Sequence, residues 1–286
     1  MAKKPTIPAF IDQNRLALVN FTVAVLTNIT HEHLDYHQTF EKYRRAKLKL
    51  FKNVKFSIIN AHDSSYGYLK NRVGGKVVAY SKNGRGDYNL SNALAAIAAT
   101  GVLGISRRLA ERALKNFPGV KGRMEDIKLG QPFRVIVDFA HTPNGLEEAL
   151  KFLRSQKTAK SSKLIAVFGA AGGRDKSKRP LMGHAADKYA DVIVLTAEDP
   201  RSENAQTICE QIAGGIKNKK KNQGYFIVPD RKQAIESTVA LAKPGDIVGI
   251  FGKGHEKSIA YGKVENPWDE FEVTTKALKR RLNGQS

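Results

Sequence analysis

The sequence predicts an α/β protein in two parts, the second a doubly wound parallel sheet, and three observations carry that expectation. From residue 132 onward, runs rich in β-branched apolar residues alternate with longer helical segments, the pattern of a parallel sheet covered on both faces. Before residue 118 the alternation persists but is less regular, as in part of another α/β domain. Between them, Phe117-Pro118-Gly119-Val120-Lys121-Gly122 combines a helix breaker with two glycines, a linker signal that divides the chain into domains 1–118 and 119–286.

In the first part, strands are expected over residues 22–29, 55–61 and 76–80, with a helix over 39–51 and an alanine-rich helix after Tyr88. In the second, strands are expected over 134–140, 163–170, 191–196, 225–228 and 246–251. Helices are expected over 144–153, 180–189, 205–216, 231–242 and 268–282. A doubly wound sheet binds its ligand beyond the carboxyl ends of the strands. That rule lines residues 138–142, 169–174, 198–201 and 252–256 along one edge.

With 286 residues, 41% of them hydrophobic, the chain can bury a core in each of two domains. No run approaches the ~18 apolar residues of a membrane span, and residues 1–8 have no apolar signal core behind their lysines, so a cytoplasmic location without a membrane partner is expected. The single cysteine, Cys209, lies in a helix-like run and reads as packing rather than chemistry. Lys and Arg number 48 against 27 Asp and Glu, a net charge of +21 that attracts phosphates, nucleic acid or acidic metabolites. The cations are dispersed and not interleaved with aromatic residues, so solvated lysine-rich faces are favoured and a nucleic-acid partner is not expected.

Several constellations bear chemistry. TNITHEHLDYH, residues 27–37, empties a strand into a turn with three histidines, Glu32 and Asp35. Imidazole and carboxylate ligate divalent ions, although a polar turn can equally be only a turn. In the next helix Phe40, Tyr43, Leu50 and Phe51 recur at helical spacing and Lys47 falls in the same stripe. Burying a bare ammonium is costly, so such a lysine snorkels, pairs or loses its charge. A neutral amine can also take up carbon dioxide as a carbamate, which converts a cation into a carboxylate-like ligand. Asn89 and Asn92, three apart at a helix start, present both amides on one side; they are ordinary caps or a bracket for a purine edge.

In the second part, GAAGGRDKSKRP (169–180) joins a buried strand to a helix expected to begin at Pro180. Exposed backbone amides, a helix amino end and four cations within six residues suit an anion. No position in the sequence matches the phosphate loop G-x-x-x-x-G-K-[ST]. FGKGHE (251–256) ends a strand with flexible backbone and a carboxylate, and EDPR (198–201) ends another, offering Arg201 to fork onto a carboxylate.

Taken in order, TNITHEHLDYH followed by YRRAK, then NLSNALAA, GRMED, VDFAHTP, GGRDKSKRPLMG, EDPRSE and GKGHE resemble the Mur ligases over essentially residues 11–280. Within that family the closest likeness is to the UDP-N-acetylmuramoyl-tripeptide synthetases of peptidoglycan precursor synthesis. The resemblance implies a partial central Mur ligase α/β domain followed by a doubly wound, Rossmann-like carboxy-terminal domain. It implies ATP and Mg2+ as cofactors, with His33 a magnesium ligand and Lys47 carbamoylated beside the metal, both in catalytic roles. Asn89 and Asn92 would lie against the nucleotide base, and Arg123 and Asp138 would contact ribose and phosphates, with His141 close by. Arg174, Asp199, Arg201, Gly252 and Glu256 would hold the incoming amino acid. The arginine of EDPR resembles the branch that uses meso-diaminopimelate, although the family usually has Asn where Asp199 stands.

The implied reaction is ATP-dependent. The D-glutamyl carboxylate of UDP-N-acetylmuramoyl-L-alanyl-D-glutamate is phosphorylated, and the amine of a diamino acid displaces the phosphate to form an amide. The departures from the family matter as well. Its amino-terminal UDP-binding domain and phosphate loop have no counterpart in these residues. Ile7-Pro8-Ala9-Phe10 stand where a glutamate and serines usually precede Asp12-Gln13-Asn14-Arg15. Only five residues separate Ser81 from Asp87 where the family carries several strands. The alternative is therefore a catalytically incomplete remnant or split-enzyme subunit, with an amino-terminal partner chain, that binds the amino acid or nucleotide without turnover. A charge-driven nucleic-acid binder is the third reading, and its affinity would fall linearly with salt on logarithmic axes.

Overall fold

A computed structural model describes residues 19–30, 37–81 and 88–284. The chain divides into two compact units, Met1–Pro118 and Gly119–Ser286, each with cores of its own.

In the first unit β1 (Val23–Leu26), β2 (Phe56–Asn60) and β3 (Lys76–Tyr80) form a parallel sheet in that order. Because side chains alternate across a strand, Ala24, Leu26 and Ile59 pack on one face with Tyr43, Phe51 and Leu69. Ile58 and Tyr80 pack on the other with Ala95. Tyr43 comes from α1 (Phe40–Lys49), whose start is capped by Thr39 Oγ1 accepting from Lys42 N at 3.2 Å. Leu69 belongs to the single turn α2 (Tyr66–Leu69), and Ala95 to α3 (Tyr88–Gly101). A further helix, α4 (Arg107–Lys115), was not expected from the sequence; it buries only Ala110.

The second unit is a six-stranded sheet in the order β4-β5-β9-β6-β7-β8. Its strands are β4 (Glu125–Asp126), β5 (Arg134–Asp138), β6 (Leu164–Phe168), β7 (Val192–Leu195), β8 (Tyr225–Ile227) and β9 (Ile247–Phe251). The two-residue β4 is antiparallel to β5, and every other neighbouring pair is parallel. Helices α5 (Pro143–Ser155), α6 (Lys178–Tyr189) and α7 (Ala205–Ala213) cover one face, where Leu146, Leu150, Met182 and Ile208 meet Ile136, Ala166, Phe168 and Phe251. After β8 the chain returns to insert β9 between β5 and β6. The helices on either side of that return, α8 (Arg231–Leu241) and α9 (Glu270–Asn283), lie on the opposite face against Val135, Val167, Val194 and Val248. This is the doubly wound α/β class expected from the sequence. Side-chain caps start the helices: Thr142 for α5, Asn204 for α7, Asp230 for α8 and Asp269 for α9. A hairpin of β10 (Ser258–Tyr261) and β11 (Val264–Pro267), also absent from the sequence expectations, follows β9.

Cys209 is fully buried in the α7 face, and burial pushes its thiol up to about 12, which leaves it a packing residue. Among the described residues no helix is long and apolar enough to cross a membrane.

Candidate functional site

The carboxyl ends of β5, β9, β6 and β7 are neighbours in the sheet, so the loops that follow them share one edge. The loop after β6 and the loop after β7 touch backbone to backbone. A Cβ at Gly172 would sit 1.9 Å from the Pro200 carbonyl oxygen, and the Gly172 N–H donates to the Asp199 carbonyl at 2.8 Å. Arg201 closes the same contact from the other side, its guanidinium donating to the Gly172 carbonyl at 3.1 Å. After β9, Gly252 takes φ +110, a backbone state that favours glycine. A side chain there would press on Glu198, 3.3 Å from its Cγ.

Charged groups from these loops meet. Asp199 Oδ1 accepts from Lys253 Nζ at 2.9 Å and from the Ala260 N–H at 3.0 Å, while Oδ2 lies 3.9 Å from the Arg201 guanidinium. Lys253 is only 1% exposed and also pairs with Glu256 at 2.7 Å. Burial works against its charge, but the hydrogen bonds to Glu256 and Asp199 outweigh it and hold the ammonium above its ordinary value. Glu198 is buried beside them, and among the described residues its Oε2 has no hydrogen-bond partner. Arg201 itself has φ +52 and is clamped by the hairpin: its N–H donates to the Ala260 carbonyl at 2.9 Å, and Gly262 N–H donates to its carbonyl at 2.7 Å.

The four cations of residues 174–179 do not act together as the sequence suggested. Arg179 is fully buried and donates to Glu203 Oε2 at 2.9 Å, to the Ala171 carbonyl at 3.1 Å and to Gln211. Lys176 pairs with Glu203 at 3.1 Å, and Lys178 donates to the His141 carbonyl at 2.9 Å. The Gly173 N–H is taken by Glu203 too, at 2.7 Å. The Arg179 hydrogen bond leads the effects that hold the Glu203 carboxyl down at about 2. Of the four cations, Arg174 alone makes no hydrogen bond or ion pair among the described residues, so the anion-binding capacity of this loop rests on it. α6 starts at Lys178, two residues before the expected Pro180.

Beneath the edge, Arg231 and Glu270 are both fully enclosed. Arg231 donates to Glu270 Oε2 at 3.0 Å, to the Ala197 carbonyl at 2.9 Å and to the Phe251 carbonyl at 2.8 Å. The Trp268 indole donates to the same carboxylate at 2.6 Å. Desolvation opposes the Arg231 charge, yet Glu270 raises its pKa above the ordinary arginine value. The pair thus ties α8 and α9 to the residues immediately before Glu198 and Gly252.

Arg123, Asp138 and His141, expected at the nucleotide, gather around Phe139. The Arg123 guanidinium lies 4.6 Å from the Phe139 ring centroid, and the His141 and His255 rings stand 4.7 and 5.1 Å from it. His141 Nδ1 is 2.9 Å from the Phe139 carbonyl oxygen. The Asp138 oxygens accept from Ala140 N–H at 2.8 Å and Met124 N–H at 2.9 Å. Burial nevertheless keeps its carboxyl above the usual value, ahead of the lowering by those amides and by Arg123.

In the first unit, Asn89 and Asn92 are exposed in the first turn of α3. Lys47 is half-buried near the end of α1, its Nζ 5.1 Å from the Tyr43 ring centroid. His33 lies outside the described residues, as do His31, Glu32 and Asp35. The chain leading there is fastened by Tyr80 OH donating to the Leu26 carbonyl at 3.1 Å, Asn60 donating to the Thr27 carbonyl at 2.9 Å, and Ile29 N–H donating to Asp63 at 2.7 Å. Among the described residues no group of three or more His, Cys, Asp or Glu could hold a metal ion.

Two family models match this chain: the Mur ligase middle domain over residues 9–85, and the Mur ligase glutamate ligase domain over residues 122–254. The chain belongs to the Mur ligase family. It is 37% identical to the UDP-N-acetylmuramyl-tripeptide synthetase of Roseiflexus sp. (strain RS-1), over 93% of this chain and 61% of that protein. The solved structure of a UDP-N-acetylmuramoyl-L-alanyl-D-glutamate--2,6-diaminopimelate ligase matches at 28% identity and TM-score 0.54, covering 97% of this chain and 64% of that one. MurF ligase from Thermotoga maritima in complex with ADP shares the fold alone, at 12% identity and TM-score 0.67, covering 100% of this chain and 67% of that one. This Mur ligase chain therefore spans less than two thirds of the first two. Lys253, Glu198, Glu203, Arg179 and the Arg231–Glu270 pair are the members of the edge and its supports that the sequence reading did not single out.

Proposed function

We infer that this chain carries the amino-acid end of an ATP-dependent ligase that adds a diamino acid, meso-diaminopimelate, to UDP-N-acetylmuramoyl-L-alanyl-D-glutamate. The observation that supports it most is the convergence of Arg174, Asp199, Arg201, Gly252, Lys253 and Glu256 on one sheet edge, from the ends of three strands. Diaminopimelate differs from lysine by a second carboxylate, and a guanidinium is the side chain best shaped to take one in a two-pronged grip. The names borne by the two similar proteins that carry the tripeptide-synthetase and diaminopimelate-ligase descriptions support the same substrate class.

In this reading, Arg174 and Arg201 take the distal carboxylate, and Asp199 and Glu256 take the ammonium on the same carbon. The far amine is then left free to attack. Fixing one end of the nucleophile supplies orientation, which is worth several kcal/mol in a bimolecular step. ATP contributes the phosphoryl group that makes the glutamyl carboxylate an acyl phosphate, and attack by the amine releases phosphate and leaves the amide. Asn89 and Asn92 would face the base, and Arg123, Asp138 and His141 the ribose and phosphates. For Mg2+, Lys47 is no ligand as an ammonium and fits only as the carbamate, whose oxygens are of the hard kind magnesium takes; His33 would be its companion.

The test is calorimetry of the chain with meso-diaminopimelate and with L-lysine, joined to an ADP-release assay with ATP, magnesium and UDP-N-acetylmuramoyl-L-alanyl-D-glutamate. Preference for diaminopimelate is expected, and equal or undetectable binding of both ligands would overturn the reading. The ADP readout separates a chain that turns over from one that binds the amino acid without turnover.

A further inference from the structure

At the amino-acid edge the carboxylates Glu198, Asp199 and Glu256 stand among the cations Arg174, Arg201 and Lys253, and the Arg231–Glu270 pair beneath adds no net charge. Lys253 differs from the two arginines. It is 1% exposed, whereas Arg201 is 33% exposed at its side chain. Its ammonium bridges two carboxylates from different strand ends, Asp199 at 2.9 Å and Glu256 at 2.7 Å. A cation enclosed in this way is not spent on a ligand carboxylate. It sets the field that the ligand meets, and because it is buried that field is screened little by salt.

We propose that Lys253 sets the charge selectivity of this edge: by neutralising Asp199 and Glu256 jointly, it makes the edge accept a zwitterionic α-amino-acid end and turn away a bare ammonium. The inference rests on the amino-acid reading above. Without Lys253 the edge is one charge more negative, and Asp199 and Glu256 lose the ammonium they share. It then favours a ligand end that is purely cationic, as in lysine, over one whose ammonium is offset by a carboxylate. Asp199→Asn has the opposite sign, because it leaves Lys253 paired to Glu256 alone and the edge one charge more positive.

Calorimetry of the full chain measures the ratio of affinities for meso-diaminopimelate and L-lysine, with a thermal melt for each variant. The wild type should prefer diaminopimelate. In Lys253→Met the ratio should move toward lysine by about tenfold or more, as expected for one enclosed unit charge at close range. Lys253→Arg should keep the wild-type ratio. Asp199→Asn should move it away from lysine, and the double variant Lys253→Met/Asp199→Asn should return toward wild type, since the two changes in charge offset each other. Equal loss of both affinities with the ratio unchanged, in Lys253→Met and Asp199→Asn alike, would overturn the proposal and leave Lys253 a structural residue. If Lys253→Met does not fold, the opposite shift in Asp199→Asn carries the test. A wild type that binds neither ligand overturns the amino-acid reading and this proposal with it, whereas a wild type that prefers diaminopimelate with an unmoved ratio overturns this proposal alone.

Discussion

Replacing Glu270 by Gln should destabilise the second unit more than any exposed ion pair can. Arg231 and Glu270 are both 0% exposed, so Glu270→Gln keeps the shape and one acceptor but leaves a guanidinium enclosed without its counter-charge. Breaking a buried pair from one side costs roughly 3–5 kcal/mol. The lower end applies here, because the Ala197 and Phe251 carbonyls still accept from Arg231. For a unit of this size, about 3 kcal/mol lowers the melting temperature by roughly 6–12 °C. Glu236→Gln is the control: it breaks the pair with Arg280, whose side chains are 30% and 65% exposed, and such pairs contribute about 0–1 kcal/mol. Urea titration and calorimetric melts of both variants measure the difference. A shift below about 1 kcal/mol in Glu270→Gln, or one equal to that in Glu236→Gln, would refute the charge argument. Since Arg231 also holds the carbonyls of Ala197 and Phe251, the same variant should weaken diaminopimelate binding without touching the ligand.

Three further outcomes are expected. Glu203 is depressed in the folded state from 4.5 to about 2 by Arg179 and its other partners. Its contribution, about 2–3 kcal/mol, is therefore complete above about pH 4.5 and lost as pH falls toward 2. Urea titrations should show the gap between wild type and Glu203→Gln closing over that window, and a gap constant from pH 7 to pH 3 would sink the assignment. Arg201→Met should lower diaminopimelate affinity by about tenfold or more while changing lysine affinity little, the behaviour of a charge-assisted carboxylate contact; equal losses for both ligands would point to a folding defect. Trypsin should cut early at Lys115 or Lys121, beside the exposed Phe117 and Val120, and leave a carboxy-terminal core, whereas survival of the amino-terminal fragment alone would contradict the boundary at Pro118.

The second unit was legible because its central strands are covered on both faces. Leu164–Phe168 and Ile247–Phe251 are buried at every position, and a strand of that kind writes a continuous apolar run into the sequence. The elements that escaped are those with little core to announce them. α4 buries only Ala110, and β4 has two residues. β11 has no buried residue at all, although Gly262 at φ +59 between β10 and β11 was a readable hairpin signal.

The edge was half legible for a related reason. Sequence shows which polar residues end the strands, hence Asp138, Arg174, Asp199, Arg201 and Glu256, but not which charges neutralise one another. Glu203 meets Arg179 across 24 residues, Arg231 meets Glu270 across 39, and Lys253 meets Asp199 across 54. One trace of these pairs was nevertheless present. Arg231 precedes Ala234, Ile235, Thr238 and Val239 on the buried stripe of α8, and Arg179 precedes Met182, Gly183 and Ala186 on that of α6. The spacing that singled out Lys47 on α1 applies equally to both arginines, because a cation on an inner helix face requires a buried partner. Arg179 finds Glu203, which also takes the Gly173 N–H, and Arg231 finds the buried Glu270 while itself holding the carbonyls of Ala197 and Phe251 ahead of Glu198 and Gly252. Lys253 leaves no such trace, because it follows β9 in a glycine-rich turn where no periodicity exists to mark a residue as inward. It sits between Gly252 and Gly254, both at positive φ, and its role became visible only once the two carboxylates were in place around it.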